Sequence, residues 1–468
     1  MSAVAAGAAP RAAAGPVTPR TARRLVRLLP LLAVLVLLAV PPPGGAGGGD
    51  GPGSGTLADA ASGVLVLWAF GSALRTGSRP LAPLAAALFA LAGVGIAVAA
   101  AGAGEVADAL PGMARYLQIF VLVPVSVLLL VRDRHDFRVV AGALVALALF
   151  EGGVGVHQYL TVTGASYMGE DIRAVGTFGA SDIMGMATVV AYGLVGAVGL
   201  ALAPGARTPE PGAWAGRAWR PLALVCATVL LLPLALSFSR GAWIATAIAC
   251  GVLLLLSGVR RALLVVVAGA ALAVVLVGGA GAGTALLQER LSSITQVADA
   301  PDQSVTDRYT LWSAAVGMWR ESPVRGVGLK GFPAHRDSHA PLALSSGSDT
   351  AGAGAAFHRQ PLLSPHNMYL LVLSEQGLVG VCTLVAGWGA LLVCAVRRLL
   401  RVLYGSGRAS GRDADCGLVG TGLLVWLLVD FFYGDIGGPS TVLTAIVLGL
   451  AAWWAVGRRD GSGWGAGR

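Results

Sequence analysis

Apolar stretches long enough to cross a bilayer follow one another along almost the whole chain, separated by short polar joins. A spanning helix needs about 20 mainly apolar residues. Twelve segments meet that length, near 25–42, 56–74, 80–102, 111–131, 139–160, 182–203, 221–239, 241–257, 262–283, 366–396, 416–434 and 438–457. Hydrophobic residues make up 56% of the chain and charged residues 12%, about half the usual charged share of a soluble domain. The expected fold is therefore an all-α polytopic membrane bundle of about twelve helices. All basic residues but Lys330 are arginine, which reads as genome composition rather than a nucleic-acid footprint. No nucleic-acid partner is expected.

Arginine also sets the direction of the spans, because basic residues collect on the cytoplasmic side. Arg11, Arg20, Arg23 and Arg24 precede the first span; Arg75 and Arg79 follow the second; "RDRHDFR" (132–138) follows the fourth. Arg207, Arg217 and Arg220 follow the sixth, Arg260 and Arg261 the eighth, Arg397, Arg398 and Arg401 the tenth, and Arg458 and Arg459 the last. All of these fall on one side if both termini are cytoplasmic. The alternate joins, "PPPGGAGGGDGPGSG" and "YGDIGGPS" among them, hold almost no arginine. Residues 1–22 are Ala/Pro/Arg-rich and expected to be disordered, 23–283 to form nine spans, 366–457 three more, and 458–468 a cytoplasmic tail. A rival reading of the first span is a signal peptide; no small-x-small cleavage site follows it. The five cysteines lie in or beside apolar segments, so no disulfide is expected in the long polar interval.

That interval, 284–365, falls outside the membrane in this topology. Polar connections beyond about 15 residues are usually functional or disordered. It carries His335, His339 and His358, and His366 closes it. Within it, Tyr309, Trp312, Val316 and Trp319 recur at helical spacing, and Pro323 is expected to end that helix. Such a tryptophan-rich amphipathic helix is expected at the headgroup level.

Six ionisable residues intrude on the spans: Arg115, His157, Asp182, Arg240, Glu375 and Asp430. The topology places all six in the outer half of the bilayer, with Glu151 alone near the midplane. Charge inside a membrane usually lines a cavity or a pathway. Each of them alone is as easily a satisfied structural pair; together they predict a polar chamber opening outward under the long interval. In "SFSRGAW" (237–243), one span reaches the outer surface, turns, and the next returns. Arg240 on that turn is either a snorkelling helix-end arginine or a phosphate clamp, since a guanidinium binds phosphate in a bidentate fashion.

Three blocks in order resemble the O-antigen ligase and polymerase superfamily: "SFSRGAW", "DRYTLWSAAVGMWRESPVRGVGLKGF" (307–332) and "SPHNMYLLVLSEQGLVG" (364–380). "RAVGTFGASDIMGM" (173–186) is similar to the block that precedes them, with Ala180-Ser181-Asp182 where the family often has asparagine. The resemblance implies a GT-C-like, inverting membrane glycosyltransferase without cofactor. Its donor would be a glycan on a polyprenyl-diphosphate carrier at the outer face of the plasma membrane. Its acceptor would be a hydroxyl of a glycan, lipid or protein. His366 would activate the acceptor, and Arg240 and Arg308 would neutralise the leaving diphosphate. Asn367, Glu375, Arg115, Asp182 and Arg173 would bind substrate. An alternative for His366 is a helix N-cap without chemistry.

Two other patterns carry less. "GVGLKG" (326–331) has the letters of a dinucleotide fingerprint but no preceding strand, and reads as a turn. His335 and His339 are four apart, with no third metal ligand evident, and no DxD pair is present; transfer is expected to be metal-independent. A repeat-unit polymerase differs from a ligase only in acceptor. A flippase is the main other class, but carriers bind at the midplane between paired repeats. A non-catalytic assembly or sensor protein is a third.

Overall fold

The computed structural model of the chain describes residues 19–41, 56–76, 81–101, 106–167, 171–182, 184–204, 214–260, 263, 303–340, 347–350, 357–360, 362–405, 413–438 and 440–457. The expected span at 262–283 lies outside them, as does most of 284–365. Residues 19–22, expected to be disordered, form the first turn of helix α1 (Pro19–Leu37).

Eight helices among the described residues are long and apolar enough to cross a membrane. They include α2 (Leu57–Thr76), α3 (Pro83–Ala100), α6 (Arg134–Thr161), α7 (Gly185–Leu202), α8 (Trp214–Leu236) and α9 (Arg240–Ser257). A seventh joins α4 (Val106–Leu117), a π-helical turn at Gln118–Leu122, and α5 (Val123–Leu130). The eighth is α12 (Met368–Tyr404). Between them stand α10 (Gln303–Glu321) and α11 (Phe332–His339). After them come α13 (Ala414–Asp430) and α14 (Thr441–Val456). Of the expected twelve spans, eight meet the length and hydropathy among the described residues; α1 carries four arginines, and α13 and α14 are short. The fold is helical, with two antiparallel hairpins the sequence reading did not foresee. Ala165–Tyr167 (β1) pairs with Asp171–Arg173 (β2), and Gly347–Thr350 (β3) with Phe357–Gln360 (β4).

The helix ends sort into two poles. At one, Arg24 bridges Asp133 at 2.6 Å and Asp136 at 2.9 Å, and Arg138 bridges Asp415 at 2.5 Å. Arg398 donates to the Trp454 carbonyl at 2.6 Å, and Tyr404 to that of Leu256 at 3.0 Å. These are the ends that the arginine pattern grouped together. The other pole collects Arg115, Asp182, Glu375, Asp430 and His366.

Helices α13 and α14 form the centre, and every residue of α14 is buried. At 1.5 Å per residue they rise only about 24–26 Å. The segment between them, described at 431–438 and 440, is non-helical. Irregular backbone is tolerated at membrane depth only where protein satisfies it. Here the Met368 amide donates to the Phe431 and Gly434 carbonyls at 2.8 and 3.0 Å, and the Ser440 amide to Asp182 at 2.9 Å.

Candidate active site

The expected long tenth span is in fact two helices. α12 breaks at Gly377, whose φ of 60° is open to glycine at no steric cost. The break exposes four backbone groups, and the turn after α10 takes all of them. Val327 and Gly328 donate to the carbonyls of Ser374 (2.9 Å) and Glu375 (3.1 Å), while Leu378 and Val379 donate to those of Pro323 (2.9 Å) and Val324 (3.2 Å). A Cβ at Gly377 would lie 2.5 Å from Val324, and one at Gly326 (φ 70°) 2.4 Å from Glu375 backbone. "PVRGVG" and "EQGLVG" are thus two halves of one backbone crossing, and the turn reading of "GVGLKG" is correct.

The break also lowers the histidine. Residues 378–404 span about 40 Å, and Trp388 lies about 15 Å below their upper end. The Tyr369 ring sits 6.2 Å from that of Trp388, so 368–376 descends from the crossing rather than continuing its axis. His366 is accordingly recessed beneath the crossing, beside the end of α13.

Asn367, not His366, caps α12. Its buried side chain accepts from the Leu370 amide at 3.1 Å and donates to the Phe432 carbonyl at 3.2 Å. This gives Asn367 a structural task, and it frees His366 from capping. His366 holds a left-handed backbone (φ 48°). Its Nδ1 faces the Asp435 carboxylate at 3.8 Å, and the Ser364 hydroxyl bonds that same carboxylate. Although 42% of the side chain is open, surrounding protein holds its pKa below the usual imidazole value. Burial is the main cause; Asp435 opposes it and the positive charge of Arg308 adds to it. Arg308 bears on Asp430 as well. The charge of Arg308, on α10, thus reaches both His366 and Asp430.

The "SFSRGAW" turn is explained residue by residue. The Ser237 hydroxyl closes the end of α8 on the Leu234 carbonyl at 2.6 Å. Ser239 caps α9, accepting from Ala242 at 3.3 Å. The Trp243 indole straps back to Leu234 at 2.7 Å. Arg240, exposed, opens α9, and a Cβ on Gly241 would meet Tyr433 at 3.0 Å. The join between α13 and α14 therefore touches the arginine turn through Tyr433, the histidine through Asp435 and Asp182 through Ser440.

Three other candidates are fully engaged. Glu375, 2% exposed, accepts from the Tyr116 hydroxyl at 2.8 Å and the Phe332 amide at 3.3 Å, which makes it a strut beneath the crossing. Arg115 pairs with Asp59 and donates to Gln118 at 3.1 Å and the Gly438 carbonyl at 3.2 Å. Asp182 anchors Ser440. The Arg173 backbone lies in β2; its side chain is outside the described residues. His157 is exposed on the flank of α6 and leaves the cluster. Glu151 near the midplane accepts from the Thr177 amide and hydroxyl at 2.9 and 2.8 Å, holding the segment that leads to Asp182. On α10 the deep face is Leu311, Ala314, Ala315 and Met318, while the expected aromatic stripe lies along its flank. Trp312 ties that flank to the Pro365 carbonyl at 2.9 Å, beside the histidine. In α11, His335 contacts the Gly331 carbonyl at 2.9 Å and His339 meets Glu321 at 3.4 Å.

Sequence reasoning missed Asp435, which is 8% exposed and faces His366. The available signal was a carboxylate inside an arginine-free, glycine-rich join, read only for its lack of positive charge.

Residues 222–385, from α8 through the crossing to the upper part of α12, match the O-antigen ligase family. No curated protein matches the chain.

Proposed function

We propose, from the match of residues 222–385 to the O-antigen ligase family, that the chain moves a glycan from a polyprenyl-diphosphate carrier to an acceptor hydroxyl at the extracytoplasmic face of the plasma membrane. The observation that carries this reading is the recessed His366, relieved of capping by Asn367 and faced by Asp435. The acceptor oxygen attacks the anomeric carbon as the bond to the diphosphate oxygen breaks, with inversion. The acceptor proton passes to His366, whose Nδ1 faces Asp435; the carboxylate stabilises the imidazolium as it forms. A lowered pKa keeps the ring neutral and ready to accept. The diphosphate leaves as an anion, so it needs neutralising charge more than an acid. Arg240 and Arg308 supply it. Neither a metal nor a cofactor enters this scheme.

The test is carried out in cells. His366→Ala should leave lipid-linked glycan accumulated on the outer leaflet, its product missing. Accumulation on the inner leaflet would instead identify a flippase.

A further inference from the structure

The segment that leads into α12 is tied along its length. The Leu362 carbonyl accepts from Arg336 of α11 at 2.7 Å, and the Pro365 carbonyl from the Trp312 indole of α10 at 2.9 Å. Asn367 caps the helix and donates to the Phe432 carbonyl. Between these ties stands Ser364. Its hydroxyl accepts from the His366 amide at 3.3 Å, and its single O–H goes to the Asp435 carboxylate. Together they hold His366 in its left-handed backbone, a conformation that persists only where the surroundings over-determine it.

Asp435 stands among Gly434, Gly437 and Gly438, and glycine leaves a chain its widest choice of conformations. The backbone of the join is held at Gly434 by the Met368 amide (3.0 Å) and at Gly438 by Arg115 (3.2 Å), but neither bond aims the Asp435 side chain. Its Oδ1 accepts from the Gly437 amide at 3.0 Å, a bond that travels with the join. Its Oδ2 accepts from Ser364 and faces His366 Nδ1 at 3.8 Å. At 3.8 Å the carboxylate gives the ring its charge but no hydrogen bond, so the pair does not set its own geometry. Among the described residues, the Ser364 hydroxyl is the donor that reaches this carboxylate from outside the join.

We propose that Ser364 is a positioning residue for the transfer inferred above, on which this reading rests: its hydroxyl fixes the Asp435 carboxylate opposite the His366 ring and acts on transfer only through it. Ser364 itself exchanges no proton. The acceptor proton passes to the ring, and the fixed carboxylate stabilises the cation that forms. Two charges bear on that ring: Asp435 from the join raises its pKa, and Arg308 from α10 lowers it. A carboxylate released from Ser364 turns away, and burial and Arg308 then act unopposed.

The test uses purified protein in liposomes with a polyprenyl-diphosphate-linked glycan and an acceptor, over a range of pH. Ser364→Ala should lower kcat about tenfold, leave the donor KM unchanged, and move the acid limb of the kcat profile down by roughly half to one pH unit. Ser364→Thr keeps the hydroxyl, and its branched Cβ suits the extended backbone favoured before proline; it should restore both kcat and the limb. In an Asp435→Asn background, Ser364→Ala should add no further loss, because the two changes remove one interaction. Wild-type kcat and limb in Ser364→Ala would overturn the proposal, as would a slower enzyme whose limb is unmoved or raised. A raised donor KM would place Ser364 against substrate, and loss of folded protein would make the serine structural; either result overturns it. So does a Ser364→Thr protein as slow as Ser364→Ala, or an additive loss in the Asp435→Asn background. All of these leave transfer itself intact. A wild-type protein that transfers nothing would remove the transfer reading and this inference together.

Discussion

At the scale of the residue, one substitution separates chemistry from architecture. Asparagine is a good N-cap but cannot act as a base near neutral pH. Because Asn367 already caps α12, His366→Asn should leave membrane abundance unchanged and slow transfer by about 10²–10⁴-fold. Wild-type turnover would reduce the mechanism to electrostatic clamping alone. The pH profile gives a second reading of the same residue. A base works only when deprotonated, and the His366 pKa is depressed from 6.5, so the acid limb should fall below pH 6.5. His366→Asn should remove that limb. Arginine at 240 and 308 is expected for its fork: Arg240→Lys and Arg308→Lys keep the charge yet should retain little activity at equal abundance. His366 and Arg240 were legible in the sequence because each stands at an odd place, a polar residue at the door of an apolar run. Asp435 was not, since it lies far from His366 in sequence and in a join of no evident pattern.

At the scale of the element, the backbone crossing between 323–328 and 374–379 decides whether the site is built. Gly377→Ala would force a Cβ into the left-handed region and against Val324, and should cost at least about 2 kcal/mol. Thermal unfolding in detergent and membrane abundance would show it; normal values for both would mean that the crossing is dispensable. Glu375 belongs to the same argument. As a strut, Glu375→Ala orphans the buried Tyr116 hydroxyl and should cost about 1–3 kcal/mol, lowering abundance. A raised donor KM at unchanged stability would instead assign it the substrate-binding role. The glycines were visible from the outset, but their meaning was not. A break within a continuous apolar run leaves hydropathy unaltered, so α12 reads as one span until a partner for its freed amides and carbonyls is found.

At the scale of the whole molecule, the contacts of Arg24, Arg138, Arg398 and Tyr404 join several of the helix ends that the arginine pattern grouped. Charge bias acts on each join locally, and each join can be read by itself. The span count was less legible, because α13 and α14 need not be full length when other helices enclose them. The sidedness that the pattern predicts is checked with single cysteines in a cysteine-free background. Val324→Cys, at the crossing, should react with an impermeant thiol reagent in intact cells, and Leu263→Cys, beyond α9, only after lysis. The reverse pattern would invert the protein. The central claim, transfer from a lipid-linked diphosphate, is tested most directly by reconstitution. Purified protein in liposomes, given a polyprenyl-diphosphate-linked glycan and an acceptor, should release polyprenyl diphosphate in step with glycosylated acceptor. The His366→Asn protein should release almost none. Passage of the lipid-linked glycan across the bilayer, with its diphosphate bond intact, would contradict the account.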